Sequence, residues 1–365
     1  MWYVVDNVDM IDTPALLVYP DRIARNIAQI KQMAGNADTL RIHVKTNKTP
    51  EVCRMMLDAG IFKYKCATIA EAEMLGQIHA PDVLLAYQPV GPKILRLLHL
   101  VKTYPHTHYS CLVDQVQTAQ DIARCFAGQN LRLDVFIDLN VGMNRTGIIP
   151  SDAALLIGEI SGLSGIRVKG IHAYDGHIHD TDLALRTEKA DQVFALVEQV
   201  IRDTKESFDA TPVTVLGGSP TFPIHSRRDR VECSPGTFVF WDWGYRQMLP
   251  EQPFDYAAVL LARVISVVDG QTVCVDLGHK SVAPENPLPR IHFLNMPDAK
   301  PLAQSEEHLT LHVPDSSCCS VGSVLYGIPV HICPTVALYD QMFVIHQHQY
   351  TENWEITARR RYLNY

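Results

Sequence analysis

The chain reads as an α/β protein, an N-terminal (β/α)8, TIM-like barrel followed by a C-terminal β-rich domain. Three observations predict this. Short apolar runs alternate with amphipathic runs of helical length up to about residue 250, a pattern that calls for a parallel sheet. Eight or so such units within about 240 residues suit a closed barrel better than an open sheet. Beyond that point the helical runs give way to short strands and turns. No Gly-x-Gly-x-x-Gly turn follows the first strand, which argues against a dinucleotide-binding sheet. The expected domains are 12–250 for the barrel and 251–365 for the β-rich part. Residues 1–11 are assigned to the second domain by analogy with other barrels that recruit their N-terminus in this way.

The elements follow in order. Leu16–Tyr19 reads as a strand, and Pro20-Asp21 opens a helix through about Ala34, with Ile23, Ile27, Ile30 and Met33 at helical spacing. Leu40–Lys45 is the next strand and Pro50–Ala59 the next helix. Further strands are expected at Phe62–Ala67, Val83–Tyr87, His108–Val113, Leu133–Leu139, Val168–Tyr174 and Thr214–Gly217. Helical runs fill the gaps at Ile69–His79, Lys93–Lys102, Gln115–Phe126, Asp152–Ser161 and Leu183–Arg202. The β-rich part should contain Tyr256–Val268, Thr272–Leu277, Leu309–Val313, Ser323–Val330 and Gln341–Ile345.

Composition narrows the function classes. A net charge of −8 without a basic block argues against nucleic acid or an anionic membrane as partner. The start has no basic n-region or long apolar core, and the longest apolar stretch, Ala257 to Val268, is broken by Arg263 and too short to span a bilayer. The nine cysteines are odd in number and lack framework spacing, which suits reduced thiols and a cytoplasmic location.

Five segments carry chemistry. In Leu40-Arg41-Ile42-His43-Val44-Lys45 an apolar-alternating run stops at a lysine, and strand ends of this kind mark the mouth of a barrel. A lysine there can form a Schiff base with an aldehyde cofactor, although a lone strand-end lysine is usually just solvated. On a strand, His43 and Lys45 would share one face. Asp138 to Gly147 is a strand end and glycine-containing turn presenting Arg145, suited to gripping a phenolate or carboxylate; the plain alternative is an exposed loop arginine. Gly170 to His179 places His172 and Tyr174 on one strand face, and its three histidines lack a zinc spacing, so cofactor packing is favoured over metal ligation. Gly217-Gly218-Ser219-Pro220-Thr221 offers backbone N–H groups and hydroxyls to an anion, in the region where barrels bind phosphate, against the alternative of a plain turn. His331-Ile332-Cys333, read as a strand, would put imidazole and thiol on one face, a pair suited to Zn²⁺ but also common in cores. Glu306-Glu307-His308 could support that metal or touch substrate.

In this order the segments resemble the fold-type III pyridoxal-phosphate enzymes, in the branch holding D-threonine aldolase and zinc-dependent D-serine dehydratase, relatives of alanine racemase. The resemblance runs from Asp12-Thr13-Pro14 through the segments above, Glu232-Cys233-Ser234-Pro235-Gly236-Thr237 and Asp276-Leu277-Gly278-His279-Lys280-Ser281, to His331-Ile332-Cys333. It implies that Lys45 carries pyridoxal 5'-phosphate and that Arg145 faces the ring oxygen. His172 and Tyr174 would lie by cofactor and substrate, and Gly217, Gly218 and Ser219 would bind the phosphate. His331 and Cys333 would hold a divalent metal, zinc first and manganese or cobalt as others. It also implies a homodimer. The family's lysine segment usually reads Arg-Pro-His-x-Lys-Thr-His-Lys, whereas Ile42 and Asn47 stand here at the second and seventh places, and Phe238 replaces a frequent tyrosine.

The expected activity is therefore a metal-assisted lyase on a small D-β-hydroxy amino acid, with retro-aldol cleavage of D-threonine-type substrates favoured over dehydration of D-serine. His-x-Cys looks like the dehydratase; Pro334-Thr335-Val336 and Leu338-Tyr339-Asp340 look like the aldolase. A racemase would not need a metal at the β-carbon. A non-catalytic pyridoxal-phosphate binder would lack the β-rich part.

Overall fold

The computed structural model describes residues 1–365, the side chain of Cys318 excepted. The chain forms two compact units. The first strand, β1 (Ala15–Val18), belongs to the nine-stranded sheet of one unit, where it lies antiparallel to a later strand and parallel to another. Its four residues are all buried, as a central strand covered on both faces requires, and a short apolar run without alternation fits either sheet equally well. The eight expected barrel runs began with this one, so the count shifts by one strand.

The barrel unit contains β2 (Arg41–His43), β3 (Lys63–Cys66), β4 (Asp82–Leu85), β5 (His108–Val113), β6 (Leu133–Leu139), β7 (Ile166–Ala173), β8 (Val213–Leu216) and β9 (Val231–Glu232). They pair in chain order, all parallel. A bridge between Leu40 and Cys233 joins the two ends: Arg41 N–H donates to Cys233 O at 2.8 Å and Cys233 N–H to Thr39 O at 2.7 Å. The eighth strand is the two-residue β9, too short to leave a periodic signal. Helices Ile69–Gln77, Pro92–Thr103, Val116–Ala127, Ala153–Ile160 and Leu183–Asp203 follow β3 to β7.

Period-two alternation stacks the inward side chains in layers. At the strand starts Arg41 meets Glu232 at 2.7 Å and Asp82 at 2.6 Å, and Lys63 meets Glu232 at 2.6 Å. The next layer is apolar, with Leu84, Leu112, Phe136 and Val215 packed together. Lys65, Asp138 and His172 form a layer at the strand ends. Between β7 and β8 the backbones come so close at Gly170 that a Cβ there would sit 2.0 Å from Val213 O. Gly170→Ala is therefore expected to cost about 3 kcal/mol, at the upper end of overpacking penalties, checked as a fall in the urea midpoint.

The other unit carries β10 (Ala258–Asp269), β11 (Thr272–Val275), β12 (Ile291–Phe293), β13 (Lys300–Gln304), β14 (Leu309–His312), β15 (Val324–Pro329), β16 (Gln341–His346) and β17 (Gln349–Glu355). The order is β13-β14-β11-β10-β1-β16-β17, with β15 also on β10 and β12 on β15. The first eleven residues contribute Tyr3, Val5 and Ile11 to its core, beside Leu17, Leu261 and Ile328. They form only a short 3-10 turn at Val8–Met10, so the strand that the N-terminal region adds is β1. No helix among the described residues is long and apolar enough to cross a membrane.

Candidate active site

In the barrel unit, β2 ends at His43 and the chain winds into one 3-10 turn, Val44–Thr46, that carries Lys45. The strand expected through Lys45 stops two residues short. His43 and Lys45 therefore do not share a strand face; instead Lys45 N–H donates to His43 Nδ1 at 3.3 Å. The side chain still reaches the expected neighbours. Lys45 Nζ lies 5.9 Å, and the Arg145 guanidinium carbon 5.0 Å, from the centre of the Tyr174 ring, which directly follows β7.

Arg145 sits on a loop shaped by its own residues. Asn140 Oδ1 accepts from the N–H groups of Gly142 and Asn144 at 3.2 and 3.0 Å, and the backbone turns through positive φ at Gly142, Asn144 and Gly147. The Asp114 carboxylate accepts from Gly147 N–H at 2.9 Å. This leaves Arg145 exposed at the strand ends.

The glycine turn follows β8. Gly217 adopts φ +93°, and its carbonyl accepts from Ser234 N–H at 2.8 Å, while Gly218 O accepts from Phe222 N–H at 2.8 Å. A Cβ at Gly218 would lie 3.3 Å from Tyr174 Cε2, so the turn and the Tyr174 ring are neighbours. Thr221 Oγ1 and Ser234 Oγ are buried beside this turn with no hydrogen-bond partner. Two unpaired buried hydroxyls at a glycine turn are what a bound phosphate would satisfy. Next to the turn, His225 Nε2 and Asp175 Oδ2 pair at 2.9 Å, both fully buried.

Sequence reasoning did not single out Lys65. Its Nζ hydrogen-bonds His172 Nε2 at 3.0 Å, and His172 Nδ1 hydrogen-bonds Asp138 Oδ1 at 2.7 Å. Lys65 also stands 5.6 Å from the Tyr174 ring centre. Burial, and then the charge of Lys45, bring the Lys65 amine down to about 7. Burial and Lys65 likewise lower His172. Burial pushes the Asp138 carboxyl up, but His172 outweighs it and the net direction is down. The available signal was the alternation Lys63-Tyr64-Lys65-Cys66, which puts Lys65 on the face opposite buried Tyr64.

In the other unit, His331 is not on a strand. It caps the short helix Ile332–Val336, within which Cys333 lies. The expected shared strand face is replaced by a helix entry, where the Cys333 side chain hydrogen-bonds His331. Glu285 Oε1 lies 2.5 Å from His331 Nδ1, so Nε2 is the ring nitrogen that this carboxylate does not hold. Asp242, fully buried, accepts from Ile332 N–H at 3.1 Å. Burial lowers His331, yet Cys333, Asp242 and Glu285 together raise it to about 9, the signature of surroundings that favour a cation. Cys333 Sγ is flanked by the hydroxyls of Thr46 at 3.1 Å and Thr237 at 3.4 Å, both of which belong to this same unit. Imidazole and thiol are a donor set suited to zinc, although no group of three or more His, Cys, Asp or Glu side chains among the described residues is arranged to hold a metal ion. Glu306 and Glu307 instead pair with Lys280 on the surface, at 2.6 and 3.3 Å.

Residues 18–242 match the family "Alanine racemase, N-terminal domain". The chain belongs to that family. Residues 257–345 match a serine dehydratase domain, and the combination makes this a fold-type III pyridoxal-phosphate enzyme of the lyase branch. A D-threonine aldolase from an Arthrobacter species is 27% identical, over 97% of this chain and 94% of its own. The D-threo-3-hydroxyaspartate dehydratase of Delftia sp. strain HT23 is 31% identical, over 71% of this chain and 69% of its own. In structure, D-threonine aldolase from Filomicrobium marinum superposes with a TM-score of 0.87 at 24% identity, covering 96% of this chain and 95% of that one. A cysteine-to-alanine mutant of D-threo-3-hydroxyaspartate dehydratase, in the metal-free form, superposes with a TM-score of 0.82 at 25% identity, covering 94% and 97%.

Proposed function

We propose that the protein is a pyridoxal-phosphate- and divalent-metal-dependent lyase whose main reaction is retro-aldol cleavage of D-threonine-type substrates to glycine and an aldehyde. The observation that carries this reading is the full-length likeness to a D-threonine aldolase. The geometry supports it: Lys45 and Arg145 approach one Tyr174 ring, and unpaired hydroxyls flank the neighbouring glycine turn.

In this reading Lys45 holds the cofactor covalently, Arg145 faces its ring oxygen, and His172 and Tyr174 pack against it. Gly217, Gly218 and Ser219 bind the phosphate, with the Thr221 and Ser234 hydroxyls donating to it. His331 Nε2 and Cys333 Sγ hold the metal, Glu285 fixing the ring of His331. When bound, pyridoxal phosphate serves as an electron sink for the bond that breaks, and the metal as a Lewis acid for the β-hydroxyl. The protein's own part is to orient that hydroxyl and to supply the base. Cleavage requires a base at the hydroxyl proton, whereas dehydration requires one at the α-proton, for which the Lys45 amine is the candidate.

A second reading, dehydration, is favoured by the 31% identical dehydratase and by the His-x-Cys pattern. Incubation with D-threonine, D-serine and D-threo-3-hydroxyaspartate separates the two. Glycine and an aldehyde from D-threonine are expected; ammonia with a keto acid, and no glycine, would replace the aldolase reading. The phosphate assignment has its own test. The Thr221→Val and Ser234→Ala variants should each weaken pyridoxal-phosphate binding about 10-fold or more, the worth of one hydrogen bond to a charged group, read by fluorescence titration of the cofactor-free protein.

A further inference from the structure

Lys65 is a buried amine inside the barrel for which neither the assigned cofactor contacts nor the proposed reaction has a use. It is 4% exposed, and its neighbours His172 and Asp138 are 4% and 5% exposed. The three form one chain of hydrogen bonds, 3.0 Å from Lys65 Nζ to His172 Nε2 and 2.7 Å from His172 Nδ1 to Asp138 Oδ1. The carboxylate can only accept, so Nδ1 carries the ring hydrogen and Nε2 presents its lone pair. Lys65 always has hydrogens to donate, whether charged or neutral, so it can fill that lone pair in either state.

We propose that Lys65 is a positioning residue for this site, which together with Asp138 clamps His172 as a neutral, Nδ1-protonated imidazole. The inference rests on reading this end of the barrel as the cofactor pocket. The surroundings of the chain explain why the ring stays neutral. The charges that act on Lys65 and His172 are the cations Lys45, Arg41 and Arg145 and the carboxylates Asp138 and Asp175. A proton on His172 would aim a second N–H at the Lys65 amine and add positive charge where cations already gather. Burial lowers both groups for the same reason, and a lysine holds the one proton available more strongly than an imidazole does. The positive charge that meets an anionic cofactor or substrate is thus left to Lys45 and Arg145, while His172 offers an uncharged face of fixed orientation.

The test reads the ring directly. Nitrogen-15 NMR of histidine-labelled protein should show His172 as the Nδ1–H tautomer, with a midpoint below the ordinary histidine value because burial and the Lys65 charge oppose its protonation. In Lys65→Met, which removes both the donor and the charge, the His172 midpoint should rise by about one pH unit or more, since a repelling cation is gone and Asp138 remains. The acid limb of the lyase pH profile should move up with it. Lys65→Gln, a donor without charge, should keep the tautomer. An Nε2–H tautomer in the wild type, or an unchanged midpoint in Lys65→Met, would overturn the inference. Should Lys65→Met not fold, the wild-type tautomer and the Lys65→Gln titration decide alone. Absence of a cofactor absorbance band after incubation with pyridoxal phosphate would instead count against the reading of the site, and the NMR result would stand apart from it.

Discussion

Replacing Lys45 by alanine should abolish the Schiff-base absorbance band formed with pyridoxal phosphate and reduce turnover by about 10³-fold or more, as expected when the covalent anchor of a catalytic group is lost. The protein should remain folded. Lys45 is only partly buried and stands on a one-turn 3-10 segment, so its truncation removes little packing. Absorbance after cofactor incubation and a circular-dichroism melt check both halves of the expectation. Persistence of the band in Lys45→Ala would reassign the anchor, and Lys65, whose amine faces the same Tyr174 ring at 5.6 Å, would be the first amine to examine.

The largest stability effect is expected at the opposite end of the barrel, where Arg41→Met should cost about 3–5 kcal/mol, the usual penalty for breaking a buried ion pair from one side. Arg41 is 2% exposed and its guanidinium bridges β9 and β4 through Glu232 and Asp82. Those contacts lie beside the bridge from Leu40 to Cys233 that joins the barrel's ends. Removing the cation leaves the buried Glu232 with Lys63 and takes the guanidinium from Asp82. A urea melt of wild type and variant measures the loss. A fall below about 1 kcal/mol would show that the cluster behaves like a surface ion pair. The proposed catalytic groups lie at the strand ends, so the residual activity of folded Arg41→Met should stay near that of the wild type.

The alternation of helices and strands was legible because most barrel strands and helices bury a local pattern of their own. Which strand begins the barrel was not. Ala15–Val18 and Val231–Glu232 exchange places in the count because a four-residue apolar run suits any covered sheet, and a two-residue strand carries no period at all. β13 and β17 were missed for the opposite reason. Their largely exposed residues, Lys300–Gln304 and Gln349–Glu355, show little of the apolar alternation that marks a half-buried strand. The site divides in the same way. Lys45, Arg145 and the Gly217-Gly218 turn stood out because their segments break a local pattern. Lys65 did not, since a lysine alternating with tyrosine on a strand reads as a solvated face until the barrel closes over it.

The amino-acid sequence by itself determined the fold class and the glycine turn, because apolar periodicity and the conformational freedom of adjacent glycines are properties of neighbouring residues. Only the tertiary structure decided that Lys45 rides a 3-10 turn, that His331 caps a helix, and that Lys65 and Asp138 hold His172 between them. The last of these depends on partners 34 and 107 residues apart in the chain, whose pairing is set by barrel closure and burial and leaves no local trace.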